Sequence, residues 1–349
     1  MKMKYLSVVA VCALTACLAR AGDDLVRYEA SHDAMGTVFS VVAYGRDRDD
    51  LAEVVDEVFE EIDRLDAQMS NYKPASELSV INREAAARPV LVEPKLFELI
   101  RESLGTSRET GGAFDITVGP LMKSWGFFRG QGRLPSPAEV ARVLKRIGYR
   151  HVRLDGGRRT IAFDEPGIEI DLGGIAKGYA VDRAVQILRE NGVRSALVSS
   201  GTSSIYALGA PPGARGWEVN VRDPYDAHQA ADVVLLRNSS LSISGNYEKF
   251  FRVGGKTYCH IMNPRTGWPV ERMLSTVALS RSATETDALS TSFFVMGVER
   301  SRKYLATHPG LKVIFYAPAE SSTTFRRVVL ESPSSQPESD ALAEIETRR

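Results

Sequence analysis

Ile168-Glu-Ile-Asp-Leu-Gly-Gly-Ile-Ala-Lys-Gly-Tyr179 reads as a strand, a double-glycine turn and the start of a helix. Such a turn exposes backbone N–H groups at a helix N-terminus, which suits phosphate. Two adjacent glycines also let a ligand approach the main chain closely. The stretch is not a Walker A loop, because Gly-Lys-Ser/Thr is missing, and it is not GxGxxG. Taken alone it reads equally well as a tight structural turn. Asp171 either caps the turn or binds a ligand, and Lys177 either brings charge to a phosphate or solvates the helix. The helix covers about 176–190, and strand patterns then dominate, at 196–200, 204–208, 217–222 and 233–237. No alternating βαβ series follows. The chain therefore reads as α+β, with mixed or antiparallel sheets and packed helices, rather than doubly wound.

Upstream, residues 29–43 alternate like a strand, interrupted by Met35-Gly36-Thr37. Leu51, Val54, Val55, Val58, Phe59, Ile62, Leu65 and Met69 recur at helical spacing with acids between them, an amphipathic helix. A second helix is expected over about 94–108. A third starts at Ser136, with Pro137 at its first position and Glu139 completing a capping box, and stops at Gly148. A hairpin follows at 151–155 and 160–163. Downstream, a hairpin at 249–253 and 256–261 and a strand at 276–280 precede two helices, about 285–297 and 299–307. A last strand lies near 311–316. The tail from Ser332, rich in Ser, Pro and Glu, is expected to be disordered.

The 349 residues carry a formal charge of zero, and the absence of a basic stripe argues against nucleic acid as a partner. Met1 to Lys4 is a short basic region and 5–16 an apolar run too short to span a membrane as a mature helix. Leu14-Thr15-Ala16-Cys17 resembles the bacterial lipobox, in which the cysteine is acylated and becomes the new N-terminus. The other reading is an ordinary secretory signal with an incidental cysteine. The lipobox reading divides the chain into a signal peptide at 1–16, a tether at 17–27, one domain at 28–331 and a tail at 332–349. Its acyl chains would tether the protein to a membrane. Cys259 is then left as the free thiol, so no internal disulfide is expected. Between Tyr258 and His260 in a strand-like run, it reads as a small core residue.

Asp287 and Thr291 stand on one helix face, four residues apart. A carboxylate and a hydroxyl so placed can hold a hard cation such as Mg²⁺ with phosphates completing the shell, or can merely start a solvated helix. Asp115 sits within an apolar run after Gly111-Gly112, unusual unless it is paired or meets a ligand. His260 ends a strand and precedes a turn, where a histidine is structural or catalytic.

Six pieces occur in this order: Met35-Gly-Thr, Ser70-Asn-Tyr-Lys-Pro-x-Ser-Glu-Leu78, Thr110-Gly-Gly-Ala-Phe-Asp-Ile-Thr117, Asp171-Leu-Gly-Gly-Ile-Ala-Lys-Gly-Tyr179, His260-Ile-Met-Asn-Pro-Arg-Thr-Gly267 and Thr286-Asp-Ala-Leu-Ser-Thr291. Together they resemble the ApbE family of FAD:protein FMN transferases over roughly 28–316. The resemblance implies a single ApbE-like, T-fold-like domain and an Mg²⁺ ion on the diphosphate of FAD. It also implies an acceptor protein whose Ser or Thr hydroxyl takes FMN while AMP leaves. Hydrolysis of FAD to FMN and AMP, and FAD storage without chemistry, are the rival readings.

Carried onto this chain, the resemblance makes Asp287, Thr291 and a main-chain carbonyl at or near Gly174 the metal ligands. Met35, Tyr72, Ala113, Phe114, Asp115, Asp171 and Lys177 would line the FAD site. His260 and Ile261 would face the flavin-phosphate end, with His260 aiding proton removal from the attacking hydroxyl. Many members are exported lipoproteins, so a location in the bacterial cell envelope, anchored through Cys17 and facing the periplasm, is expected. One departure stands out: Gly201-Thr202-Ser203-Ser204 replaces the Gly-Gly-Asp of many members, and no carboxylate is present there. Asn263, where the family often has Asp, is a milder change.

Overall fold

The computed structural model describes residues 25–319, 324–333 and 342–346. The expected signal peptide at 1–16, the expected lipidation site Cys17 and all but the end of the expected tether lie outside the described residues.

The chain opens on a hairpin, β1 (Val26–Ala34) and β2 (Thr37–Gly45), turned by Met35 and Gly36 at φ 50° and 72°. Two positive φ values in a row give a turn whose twist matches that of the strands it joins. Helix α1 (Arg48–Met69) follows, capped by Asp47, whose carboxylate accepts from the N–H of Asp49 and Asp50. Next come α2 (Glu77–Glu84), β3 (Val90–Leu91), α3 (Pro94–Glu109), α4 (Gly119–Ser124) and α5 (Pro137–Leu144). The middle of the chain holds β4 (Val152–Asp155), β5 (Thr160–Phe163), α6 (Ala176–Glu190), β6 (Ser195–Ser200), β7 (Ser204–Leu208), β8 (Trp217–Arg222) and β9 (Ala230–Arg237). Then follow β10 (Ser239–Gly245), β11 (Phe250–Val253), β12 (Lys256–Cys259), β13 (Met262–Asn263), β14 (Trp268–Pro269) and β15 (Ser275–Ser280). Helix α7 (Ala283–Leu305), β16 (Lys312–Pro318), β17 (Phe325–Glu331) and β18 (Leu342–Glu346) complete it.

An 8-stranded antiparallel sheet, in the order β1-β2-β6-β7-β10-β15-β16-β17, is the centre of the fold. Side chains alternate between its faces, and both faces are covered. Val41, Ala43 and Val198 join Val55, Ile62, Val181 and Leu188 of α1 and α6 in one core. Further along, Ala278, Val313 and Phe315 meet Leu289, Phe293 and Phe294 of α7. On the other face, Leu241, Val277, Leu279 and Ile314 pack against Val219, Val234 and Leu236 of the small sheet β18-β9-β8. The expected α+β architecture of a single domain is the one observed.

Several elements differ from expectation. Residues 168–172 form no ladder. Instead Asn82 imitates a strand partner: its Oδ1 accepts from Ile170 N–H at 2.7 Å and its Nδ2 donates to the Ile170 carbonyl at 2.9 Å. Ile168, Ile170 and Leu172 are buried, so the alternation reports burial but not a sheet. The helix begun at Pro137 stops at Leu144, short of Gly148. The two expected late helices, by contrast, are both present within α7, separated at Gly297, where φ 70° and ψ 178° interrupt the winding. The tail is not wholly without structure, because β18 pairs with β9 from Leu342↔Arg237 to Glu346↔Val233 and fills the open edge of the small sheet.

Candidate functional site

Helices α6 and α7 cross where Gly178 lies against Ala283. A Cβ on Gly178 would fall 2.0 Å from the Ala283 carbonyl and 2.7 Å from Asp287 Cβ, so glycine alone permits the approach. The Gly178 N–H donates to Asp287 Oδ2 at 2.9 Å. Asp182 on α6 fixes the same crossing by capping α7, accepting from the N–H of Ala283 and Thr284 at 2.8 Å each. Asp287 is 3% exposed and forms no ion pair with a described residue. A carboxylate buried without a countercharge is costly, and an oxygen-seeking cation would offset it.

Thr291 lies one turn further along α7. Its Oγ1 is 3.1 Å from Ser244 Oγ on β10, which is itself 2.9 Å from Ser290 Oγ. Strand β10 sends Ser240, Ser242 and Ser244 toward α7 and Leu241 and Ile243 into the opposite core. Small hydroxyl side chains let the helix rest directly on the strand. Gly174 closes the group: a Cβ there would meet Phe114 Cε2 at 3.3 Å and Thr291 Oγ1 at 3.7 Å. Among the described residues no cluster of three or more His, Cys, Asp or Glu could hold a metal. The donor set that the family resemblance implies, one carboxylate, one hydroxyl and a main-chain carbonyl, is all oxygen, which would suit Mg²⁺ better than a soft transition metal.

The double-glycine bend is fixed from both sides. Asp171 Oδ1 accepts from Gly173 N–H at 2.8 Å, and Lys177 Nζ donates to the Gly173 carbonyl at 3.1 Å. Asp171 N–H donates to the Ile116 carbonyl at 2.6 Å, which brings the 113–117 loop alongside. Ala113 and Phe114 are buried there. Asp115 has partners for both oxygens: Thr117 N–H and Oγ1 donate to Oδ1, and Tyr149 N–H donates to Oδ2. Burial nonetheless pushes its carboxyl above the usual range. It meets the pairing requirement posed by its apolar setting through the protein itself, and Phe114 is the side chain that reaches the bend.

His260 stands at the open end of the β11–β12 hairpin. Its Nδ1 lies 3.2 Å from the Lys249 carbonyl. A carbonyl only accepts, so Nδ1 carries the hydrogen and Nε2 keeps a lone pair. Burial, then the charges of Lys249 and Lys177, hold the imidazole down to about 4. Lys249 is itself lowered by burial and by Lys177, so two ammonium groups face the imidazole with no full compensation. Ile261 is buried, in a core shared with α7. Cys259 is buried as expected, and burial pushes its thiol up to about 11, which makes it inert. Tyr72, 65% exposed, stacks on Phe128 at 4.5 Å and is close enough to Asp171 to have its phenol raised by that charge as well as by burial.

Met35 is half-buried against the core at the β1–β2 turn. That turn meets the Gly201–Ser203 loop, where Gly201 N–H donates to the Val38 carbonyl at 2.7 Å. Thr202 Oγ1 of this loop donates to Glu248 Oε1 at 3.1 Å, which brings a carboxylate beside it. Asn263 caps its own turn by accepting from Arg265 N–H at 3.0 Å, a task aspartate performs equally well. Arg265 then donates to the Gly111 carbonyl at 2.7 Å, tying the His260 turn to the Thr110 turn. Lys249, Glu248, Asp182 and the serines of β10 were not singled out from sequence. The Ser-x-Ser-x-Ser spacing at 240–244 was the one signal that could have found the strand.

The ApbE family model matches residues 35–315. A curated relative from Treponema pallidum, FAD:protein FMN transferase, is 32% identical over 327 residues, covering 89% of this chain and 90% of its own length. One of the same name from Salmonella typhimurium is 28% identical over 275 residues, covering 77% of this chain and 78% of itself. Among solved structures, the ApbE protein of Thermotoga maritima superposes with a TM-score of 0.79 at 30% identity, covering 88% of this chain and 97% of its own. The flavin transferase ApbE of Vibrio cholerae does so with a TM-score of 0.75 at 26% identity, covering 87% and 97%. This chain belongs to the ApbE family.

Proposed function

We propose that this protein transfers FMN from FAD to a serine or threonine hydroxyl of a target protein and releases AMP. The relatives it resembles over most of its length are named FAD:protein FMN transferases, which supports the transfer of FMN from FAD to a protein. The observation that carries the reading is the α6–α7 crossing, where an uncompensated buried carboxylate and Thr291 Oγ1 stand beside the Gly173-Gly174 bend. Asp287, Thr291 and the bend's carbonyl would hold Mg²⁺. When bound, the ion neutralises diphosphate charge and eases departure of AMP.

The chain's own residues supply the rest. Met35, Tyr72, Ala113, Phe114, Asp171 and Lys177 line the dinucleotide site, Asp115 shapes its loop, and Ile261 backs the flavin-phosphate end. Lys177 and Lys249 oppose the phosphates. Nε2 of His260 accepts the proton as the acceptor oxygen bonds to the FMN phosphorus and the bond to the AMP oxygen breaks. Diphosphate charge offsets the two lysines and makes that imidazole a better base once substrate is present.

The protein is further proposed to be a lipoprotein of the bacterial cell envelope, held by acylated Cys17 and facing the periplasm. No helix among the described residues is long and apolar enough to cross a membrane.

Incubation with FAD, Mg²⁺ and a candidate acceptor domain tests the activity. Covalent flavin fluorescence in a denaturing gel, with AMP released, is the expected result. AMP with free FMN would replace transfer by hydrolysis. Stable FAD with every acceptor tried would leave a storage protein.

A further inference from the structure

The Thr291 hydroxyl and the two beneath it are arranged so that only one direction of donation is open to them. Ser290 Oγ lies 2.9 Å from the Asp287 carbonyl, an atom that can only accept, so Ser290 donates there. Ser290 has then used its hydrogen, and in the 2.9 Å contact with Ser244 it accepts. Ser244, having donated to Ser290, must accept in the 3.1 Å contact with Thr291. Thr291 therefore donates inward, and its Oγ1 has only lone pairs left to offer a ligand. Ser290 is fully buried and Ser244 is 9% exposed, so water offers little alternative to this order.

We propose that Ser244 and Ser290 are positioning residues that hold the Thr291 hydroxyl as an obligate acceptor, preset for a cation rather than for a hydrogen-bond acceptor such as a phosphate oxygen. The inference rests on the metal reading of the site. A freely turning hydroxyl would greet a phosphate oxygen and a cation alike. A hydroxyl whose hydrogen is already committed repels the first and attracts the second. Ordering of this kind lowers the cost of binding without adding a contact.

The test is binding of Mn²⁺, which shares the oxygen donors and is counted by electron paramagnetic resonance, to the full chain without FAD. Ser244→Ala should weaken binding about tenfold and Ser290→Ala about threefold, the range set by a net hydrogen bond. Ser244→Thr, which keeps the hydroxyl, should restore it. Melting temperatures of all three should stay close to wild type, which separates orientation from simple loss of fold. Equal Mn²⁺ affinity in wild type and Ser244→Ala would overturn the relay while leaving the metal site standing. Failure of wild type to bind Mn²⁺ would overturn the metal site itself, and the relay with it. Weakening that Ser244→Thr does not reverse would assign the effect to packing and defeat the proposal.

Discussion

Gly178 and Asp287, 109 residues apart in the chain, meet through a 2.9 Å hydrogen bond from the glycine N–H to the carboxylate at the α6–α7 crossing. The first helix carries the double-glycine bend at its start, and the second carries the acid and the hydroxyl. Their contact sets the distance between a main-chain cradle and a pair of oxygen ligands.

Gly178→Ala should therefore injure both stability and turnover. Its new methyl would stand 2.0 Å from the Ala283 carbonyl, and backbone cannot swing aside as a side chain can. Overpacking of this kind costs about 1–3 kcal/mol. Thermal unfolding and initial rates should fall together, and an unchanged melting temperature would mean the helices tolerate separation.

Asp287→Asn separates charge from fold. The amide oxygen can still accept from Gly178, while the buried negative charge is gone. Stability should hold or rise, because an uncompensated carboxylate no longer has to be buried. Metal-dependent turnover should drop roughly a thousand-fold, the equivalent of several kcal/mol of lost charge stabilisation. A magnesium titration of the rate checks this, and wild-type response would remove Asp287 from the metal site.

His260→Asn should lower transfer by about a hundred- to ten-thousand-fold, the usual range for general-base help. FAD affinity, measured by fluorescence quenching, should stay within a few-fold. A comparable loss in both would make His260 a binding residue instead.

The same histidine gives folding a pH dependence of known sign. Its imidazole titrates at about 4 in the folded protein and near 6.5 when unfolded. Between those values the unfolded chain binds more protons, so stability falls as pH drops from about 6.5 to about 4. The contribution is no more than about 3 kcal/mol. Denaturant titrations across this window should show a shallower decline in His260→Asn than in wild type. Parallel curves would place the imidazole in a wetter setting.

Cys17→Ser addresses the anchor, which lies outside the described residues. The substituted protein should leave the membrane fraction and appear in the soluble fraction, as detected by immunoblot. Unchanged fractionation would defeat lipidation at this residue.

Much of the architecture was legible because helical faces announce themselves. The apolar spacing from Leu51 to Met69 matched α1, and the spacing of Asp287 and Thr291 put both on one face of α7. Strand β10 escaped because only Leu241 and Ile243 are apolar, its other face being hydroxyls that allow a helix to sit close. Residues 168–172 misled for the opposite reason, since Asn82 replaces a strand and no periodicity reveals a side chain doing so. In the site, glycine turns were visible as local signals. Lys249, Glu248 and Asp182 were not, because their roles arise only when loops distant in sequence converge.

The break at Gly297 divides α7 into a half whose phase matters and a half whose phase does not. A helix turns about 100° for each residue, so one residue inserted between Asp287 and Thr291 would rotate the hydroxyl off the acid's face. The same insertion just after Gly297, where φ 70° and ψ 178° already interrupt the winding, would be absorbed before it reached the site. Length variation in relatives of this chain should accordingly gather after Gly297 and be absent from the four residues leading to Thr291.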